Sequence, residues 1–151
     1  MLLTQSLGMV NKFIGNFRFA YAPGSSDRRL ALGHRRLSII DLSERGLAMA
    51  PADEALKADL AWVSGKARAA RFRELGDLED WRQANLVLRD ATRAGSHSDE
   101  ASLLYVLLQD MGSAGSVERQ LEVARELIAR APDSEQAAQV RAYLASQGRQ
   151  P

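Results

Sequence analysis

The residues best suited to chemistry crowd into one short run, "ALGHRRLSIIDLSERG" at 31–46. A purely apolar core segment has no use for a His-Arg-Arg triplet at its start and an acid near its end. Arg36 is the candidate ligand residue, because a planar guanidinium holds a carboxylate through two charge-assisted hydrogen bonds. The competing reading is structural: a strand arginine pairs with a nearby carboxylate and lays its stem on apolar neighbours. His34, on the same face, suits packing or hydrogen bonding better than general-base work. Further along, "SHSDEAS" at 96–102 puts Asp99 at the start of a helical stripe. A carboxylate there can hold an amine, or it can satisfy the free N–H groups and dipole of its own helix. His97 and Asp99 have a chelating spacing, yet an ordinary turn explains them, and no metal is expected. "KARAARFR" at 66–73 could touch phosphates, but it holds one aromatic and runs at once into "ELGDLED", so a solvated helix face is expected. There is no cysteine, which removes disulfides, thiolate metal ligands and cysteine nucleophiles together.

These side chains need elements to position them. Leu2, Leu3, Leu7, Val10 and Ile14 lie near helical spacing, which predicts a short amphipathic helix over 2–16. In "FRFAYAP", Phe17, Phe19 and Tyr21 alternate with Arg18 and Ala20, the period-two pattern of a half-buried strand. "GSSD" at 24–27 is a turn, and "RLALGHRRLSIIDL" reads as a returning strand, so a β-hairpin is expected over 17–42. Residues 48–77 are Ala-rich and charged with weak periodicity. Short helices are expected near 52–60 and 66–75, with a third strand at 59–65 as the alternative.

From residue 78 onward the pattern is helical. Trp81, Ala84, Leu88 and Ala91 form one stripe, stopped by Gly95. Leu104, Leu107, Leu108 and Met111 form the next, opened by Ser98 or Asp99 as N-cap and closed by Gly112. Ser116 should cap a third helix with the stripe Val117, Leu121, Ala124, Leu127 and Ile128, ending before Pro132. Asp133 followed by Gln136 predicts a capping box for a last helix through about Ser146, beyond which "QGRQP" should fray. The expected fold is therefore α+β: an N-terminal β-hairpin or small sheet, then a predominantly helical C-terminal half. The natural division falls between 1–112 and a helical hairpin extension at 113–151, with one compact domain overall as the alternative.

"LGHRRLSIIDLSERG" resembles the N-terminal glutaminase domain of asparagine synthetases, the class II glutamine amidotransferases. There a strand with Arg-Leu-Ser-Ile-Ile-Asp binds the carboxylate of glutamine through its Arg, which Arg36 matches. "VSGKARAARFRELGDLE" at 63–79 is similar to the family's Asn-Gly-Glu segment and its following helix, and "SHSDEASLLYVLLQDMG" at 96–112 to its Ser-Asp and helix. By resemblance, then, Arg36, Gly65 and Asp99 are the ligand-binding residues, and 1–112 is a degenerate amidotransferase-like region. The family's nucleophile is a cysteine after the initiator methionine; here Leu2 stands in that place, with Ser64 for the oxyanion Asn and Lys66 for the acid. No pyrophosphate loop of the synthetase half occurs. The resemblance thus implies a non-catalytic, truncated relative, with no catalytic residue and no cofactor, that binds an amino acid or a protein partner.

Composition narrows the classes further. The 151 residues carry a net charge of +1, which points to neither nucleic acid nor an anionic membrane surface. Residues 1–75 hold 12 Lys+Arg against 7 Asp+Glu, and residues 76–151 hold 8 against 12, a split that can drive intramolecular docking or dimerisation but more often marks two differently solvated faces. "MLLTQSLGMV" lacks a basic start and a cleavage site, and no window spans a bilayer, so a cytoplasmic protein is expected. The rival reading is an α-helical, tetratricopeptide-like interaction module in which 78–147 is the working surface.

Overall fold

The computed structural model describes residues 39–49, 51–112 and 114–151. Every regular element among them is a helix: α1 over 39–48, α2 Glu54–Leu75, α3 Leu78–Ala91, α4 Ser98–Leu108, α5 Val117–Arg130 and α6 Glu135–Ser146. The α+β expectation is overturned. Residues 39–42, the end of the expected second strand, are the first turn of α1; the rest of the expected hairpin, with Arg36 and the 2–16 helix, lies outside the described residues. Ile39 and Ile40 suit a strand locally, but α1 buries Ile40 and Ser43, and its Glu44 accepts hydrogen bonds from Arg68, 24 residues away. Such a partner outweighs local β propensity.

The short helices and the alternative strand at 48–77 are replaced by one 22-residue helix, α2. Asp53 caps it, accepting from the backbone N–H of Ala55 at 2.9 Å. Gly76, in the left-handed region at φ 71°, ends it by donating to the Phe72 carbonyl. Asp77 at once caps α3. The two-residue joint makes α2 and α3 antiparallel, and they form the largest helix pair of the fold. A small-residue stripe, Ala61, Gly65 and Ala69, lets α3 approach closely: a β-carbon built on Gly65 would lie 2.5 Å from Cγ of Leu88.

The helical expectation from residue 78 onward holds. Trp81, Ala84, Leu88 and Ala91 are all buried, as are Leu104, Leu107 and Leu108. Helix α4 is the centre of the fold: Ala101 to Gln109 are all buried, against α2, α3, α5 and α6. One core runs from Ala61 to Leu144, across the 112/113 division. Trp81 Nε1 donates to the Leu108 carbonyl at 2.9 Å, at the α4 terminus, where the Met111 N–H also donates at 3.1 Å. Ser116 caps α5 as expected, accepting from Arg119 at 3.2 Å. Two caps shift by one residue: His97 precedes α4 without a side-chain cap, and Ser134 rather than Asp133 caps α6, accepting from Ala137 at 3.0 Å. Residues 148–149 do not fray. Gly148 at φ 69° donates to Ala145 and Arg149 to Leu144, a Schellman closure of α6.

Candidate functional site

Sequence reasoning singles out Arg36, Gly65 and Asp99. Arg36 lies outside the described residues. Gly65 sits mid-helix in α2, under Leu88 and Val87 of α3, so its backbone N–H belongs to the helix ladder. Asp99 lies in the first turn of α4, and its Oδ1 accepts from Nη2 of Arg130 at 2.9 Å. Gly65 thus lies against Leu88 and Asp99 against Arg130. The segments around them do meet, however, at a corner between α2 and the start of α4.

That corner is assembled from the loop between α3 and α4. Asp59 on α2 accepts from the backbone N–H of Ser96 at 3.0 Å and from its hydroxyl at 3.2 Å. Gly95 is held against it: a β-carbon there would lie 2.6 Å from Oδ1 of Asp59. One turn along α2, the Trp62 and His97 rings stack with centroids 5.7 Å apart and planes 21° from parallel. Lys66, one turn further, holds its amine 5.7 Å from the Trp62 ring centre, a cation–π contact. His97 Nδ1 lies 3.5 Å from a Glu100 carboxylate oxygen. Burial lowers the pKa of the Lys66 amine, and the Glu100 charge opposes that shift. The imidazole and the amine of reduced basicity thus share the Trp62 indole, with the Glu100 carboxylate beside the imidazole. The Trp62–His97 stack and the Lys66–Glu100 attraction also tie the start of α4 to α2. The matches at 63–79 and 96–112 place Lys66 and Glu100 beside the expected residues, but only the fold brings them together.

Two features carried no sequence signal as sites. The first is a buried ion cluster. Asp80 of α3, 1% exposed, accepts from Arg71 through two bonds of 2.6 Å and from Arg68 at 3.0 Å, and Arg68 reaches on to Glu44 of α1. Arg68 and Arg71 are three apart on α2, which puts both guanidiniums over one carboxylate. The second is an apolar face. Of eight exposed large apolar side chains among the described residues, Leu42 lies on α1, Met49 just past its end, and Leu56 and Val63 on the first half of α2. Each pair is seven residues apart, the repeat of one helical stripe. Helix α1 crosses α2 where Gly46 meets Leu60, the β-carbon position of Gly46 being 3.0 Å from Leu60 Cδ1. Met49 is one turn beyond that crossing and Leu56 one turn before it. Met49, Leu56 and Val63 therefore each lie about one helical turn from that crossing.

Among the described residues no group of three or more His, Asp or Glu is placed to hold a metal ion, and no helix is long and apolar enough to cross a membrane. No protein-family model matches the chain, and no curated protein and no solved structure matches it.

Proposed function

We propose that this chain is an α-helical protein-interaction module that engages its partner through the α1–α2 face. The observation that carries this reading is that Leu42, Met49, Leu56 and Val63, half of the exposed large apolar side chains among the described residues, belong to α1, its end and the first half of α2. Exposed apolar side chains are unremarkable singly; gathered into one patch they mark contact sites. The packing order supports the same reading. Hairpins α2–α3 and α4–α5 lie side by side, and α6 stacks on α4 as the first helix of a further unit would. Successive hairpins in contact only with their neighbours are how tetratricopeptide-like arrays build an extended surface. An amino-acid-binding remnant would need the Asp99 carboxylate for an amine, and Arg130 already holds it.

The test is a double variant, Leu56→Glu with Val63→Glu. Both sites are exposed, so circular dichroism and the melting temperature should match wild type. A partner retained by wild type on an affinity resin is identified and purified, and the binary complex is then titrated. The double variant should bind at least about tenfold more weakly, roughly 1.4 kcal/mol. Equal affinity for the two forms would refute the assignment of this face.

A further inference from the structure

At the opposite end of the fold, the C-terminus of α4 meets α5 and α6 in a polar cluster that the apolar face does not touch. Its centre is Asp110. Tyr143 of α6 donates its hydroxyl to Oδ2 of Asp110 at 2.5 Å. Gln120 of α5 donates Nε2 to the same oxygen at 2.8 Å and to the Val106 carbonyl at 2.8 Å. Gln120 and Tyr143 are completely buried, so both are held in place by the core. These bonds leave three acceptors facing one point. Nη1 of Arg149 fills it, at 2.8 and 3.0 Å from the Asp110 oxygens and 2.8 Å from Oε1 of Gln120.

The four members are not held alike. Asp110, Gln120 and Tyr143 are tied to helices and to one another. Arg149 lies past the end of α6, its backbone set by the turn at Gly148 and its side chain 26% exposed. The Asp110 side chain is 16% exposed, so the cradle opens to solvent along the path that Arg149 takes. Only one guanidinium nitrogen is engaged, so the geometry asks for a cationic terminal nitrogen rather than a bidentate fork. An ammonium, with three N–H donors, satisfies the same three acceptors. A half-buried carboxylate with its donors already in place needs little ordering to bind such a cation, and leaving it without one is costly.

We infer that Asp110, Gln120 and Tyr143 form a receptor for the terminal nitrogen of a basic side chain, occupied in cis by Arg149 and open to competition from a lysine or arginine of a second polypeptide. Arg149 is then an internal competitor that sets the threshold for that partner. The inference is independent of the α1–α2 face, and the Leu56→Glu/Val63→Glu variant leaves the cradle intact, so either can fail alone.

The test uses the full chain with Arg149→Ala, and with Arg149→Gln as a second variant that keeps a long side chain on the same backbone turn. The probes are N-acetyl-arginine amide and N-acetyl-lysine amide. Binding is read from the Gln120 side-chain amide resonances, which report on the cradle alone. Both variants should bind both probes at least about tenfold more tightly than wild type does, and Arg149→Lys should behave as wild type. Adding Asp110→Asn to either variant should abolish binding. No shift of the Gln120 signals with either probe would overturn the receptor, and equal binding by wild type and variants would overturn the competition. Binding that survives Asp110→Asn would place the ligand elsewhere and overturn both.

Discussion

Replacing Gly65 by alanine should destabilise the fold, although the same change stabilises an ordinary helix. In a helix interior, alanine is favoured over glycine by about 1 kcal/mol. Here the new β-carbon would lie 2.5 Å from Leu88 Cγ, 2.6 Å from Leu88 Cδ2 and 3.2 Å from Val87 Cγ2. Leu88 is completely buried, and the closest atom is its branch point rather than a mobile tip, so it cannot swing aside. Overpacking of this kind costs about 1–3 kcal/mol, and the rigid neighbour argues for the upper end. The net expectation is a loss of about 2 kcal/mol. For a 151-residue chain that is a fall in Tm of roughly 4–8 °C. Urea unfolding followed by circular dichroism measures it, with an unchanged m-value confirming that the effect is on stability. The decisive form is a cycle with Leu88→Ala, which alone should cost about 2–5 kcal/mol. In that background the new methyl has room, and Gly65→Ala should become stabilising by up to about 1 kcal/mol, a coupling of roughly 3 kcal/mol. Gly65→Ala stabilising in both backgrounds would refute the close α2–α3 approach.

Leu107 sits in the central helix, 2% exposed, so Leu107→Asp should cost about 4 kcal/mol or more as the new carboxyl either stays charged in the core or takes up a proton; an unchanged melting curve would show the residue to be exposed. Asp80→Asn leaves Arg68 and Arg71 without their shared carboxylate and should cost about 3 kcal/mol by urea midpoint, the low end for a buried pair because both guanidiniums keep some solvent. Burial pushes the Asp110 carboxyl up, but the bonds from Tyr143, Arg149 and Gln120 outweigh it and its pKa is lowered. A lowered folded-state pKa means stability that is present above the unfolded value of about 3.9 and lost as pH falls below it. Asp110→Asn should therefore be less stable than wild type at neutral pH and show a shallower loss of stability below about pH 4 by thermal melts. Ser116→Ala removes the acceptor for the Arg119 N–H and should lower stability by about 1 kcal/mol, read from the same melts.

The half of the chain after residue 78 was legible because its helices are amphipathic. Each buries one stripe of large side chains: Trp81 to Ala91, and Ala124 with Leu127, reach the core as their spacing requires, whereas Val117 of the expected α5 stripe is exposed and Val123, outside it, is buried. Punctuation by Ser116 and Pro132 was local chemistry and could be read locally, with errors of one residue at His97 and Ser134 where two capping residues stood side by side, whereas Gly148, in a tail expected to fray, closes α6. Helix α2 could not be read in the same way. It meets partners on several sides and fills them with Ala58, Ala61, Ser64, Gly65, Ala67, Ala69 and Ala70, so burial leaves no period of large apolar residues. The Gly65 that looked like a strand end or an oxyanion donor is small because Leu88 lies against it, a fact held 23 residues away. Of the expected site, the types and order of residues came from the chain alone, whereas the meeting of Lys66 with Glu100 and of Asp99 with Arg130 did not. The helix at 39–48 is the clearest case. An Ile-Ile run is at home in strand or helix, and local propensity favours the strand by less than a buried Ile40 and the Glu44–Arg68 pair favour the helix. Composition and periodicity determine which faces must be buried; which partner buries them is decided only when distant segments meet, because contact energies between them are absent from any local window.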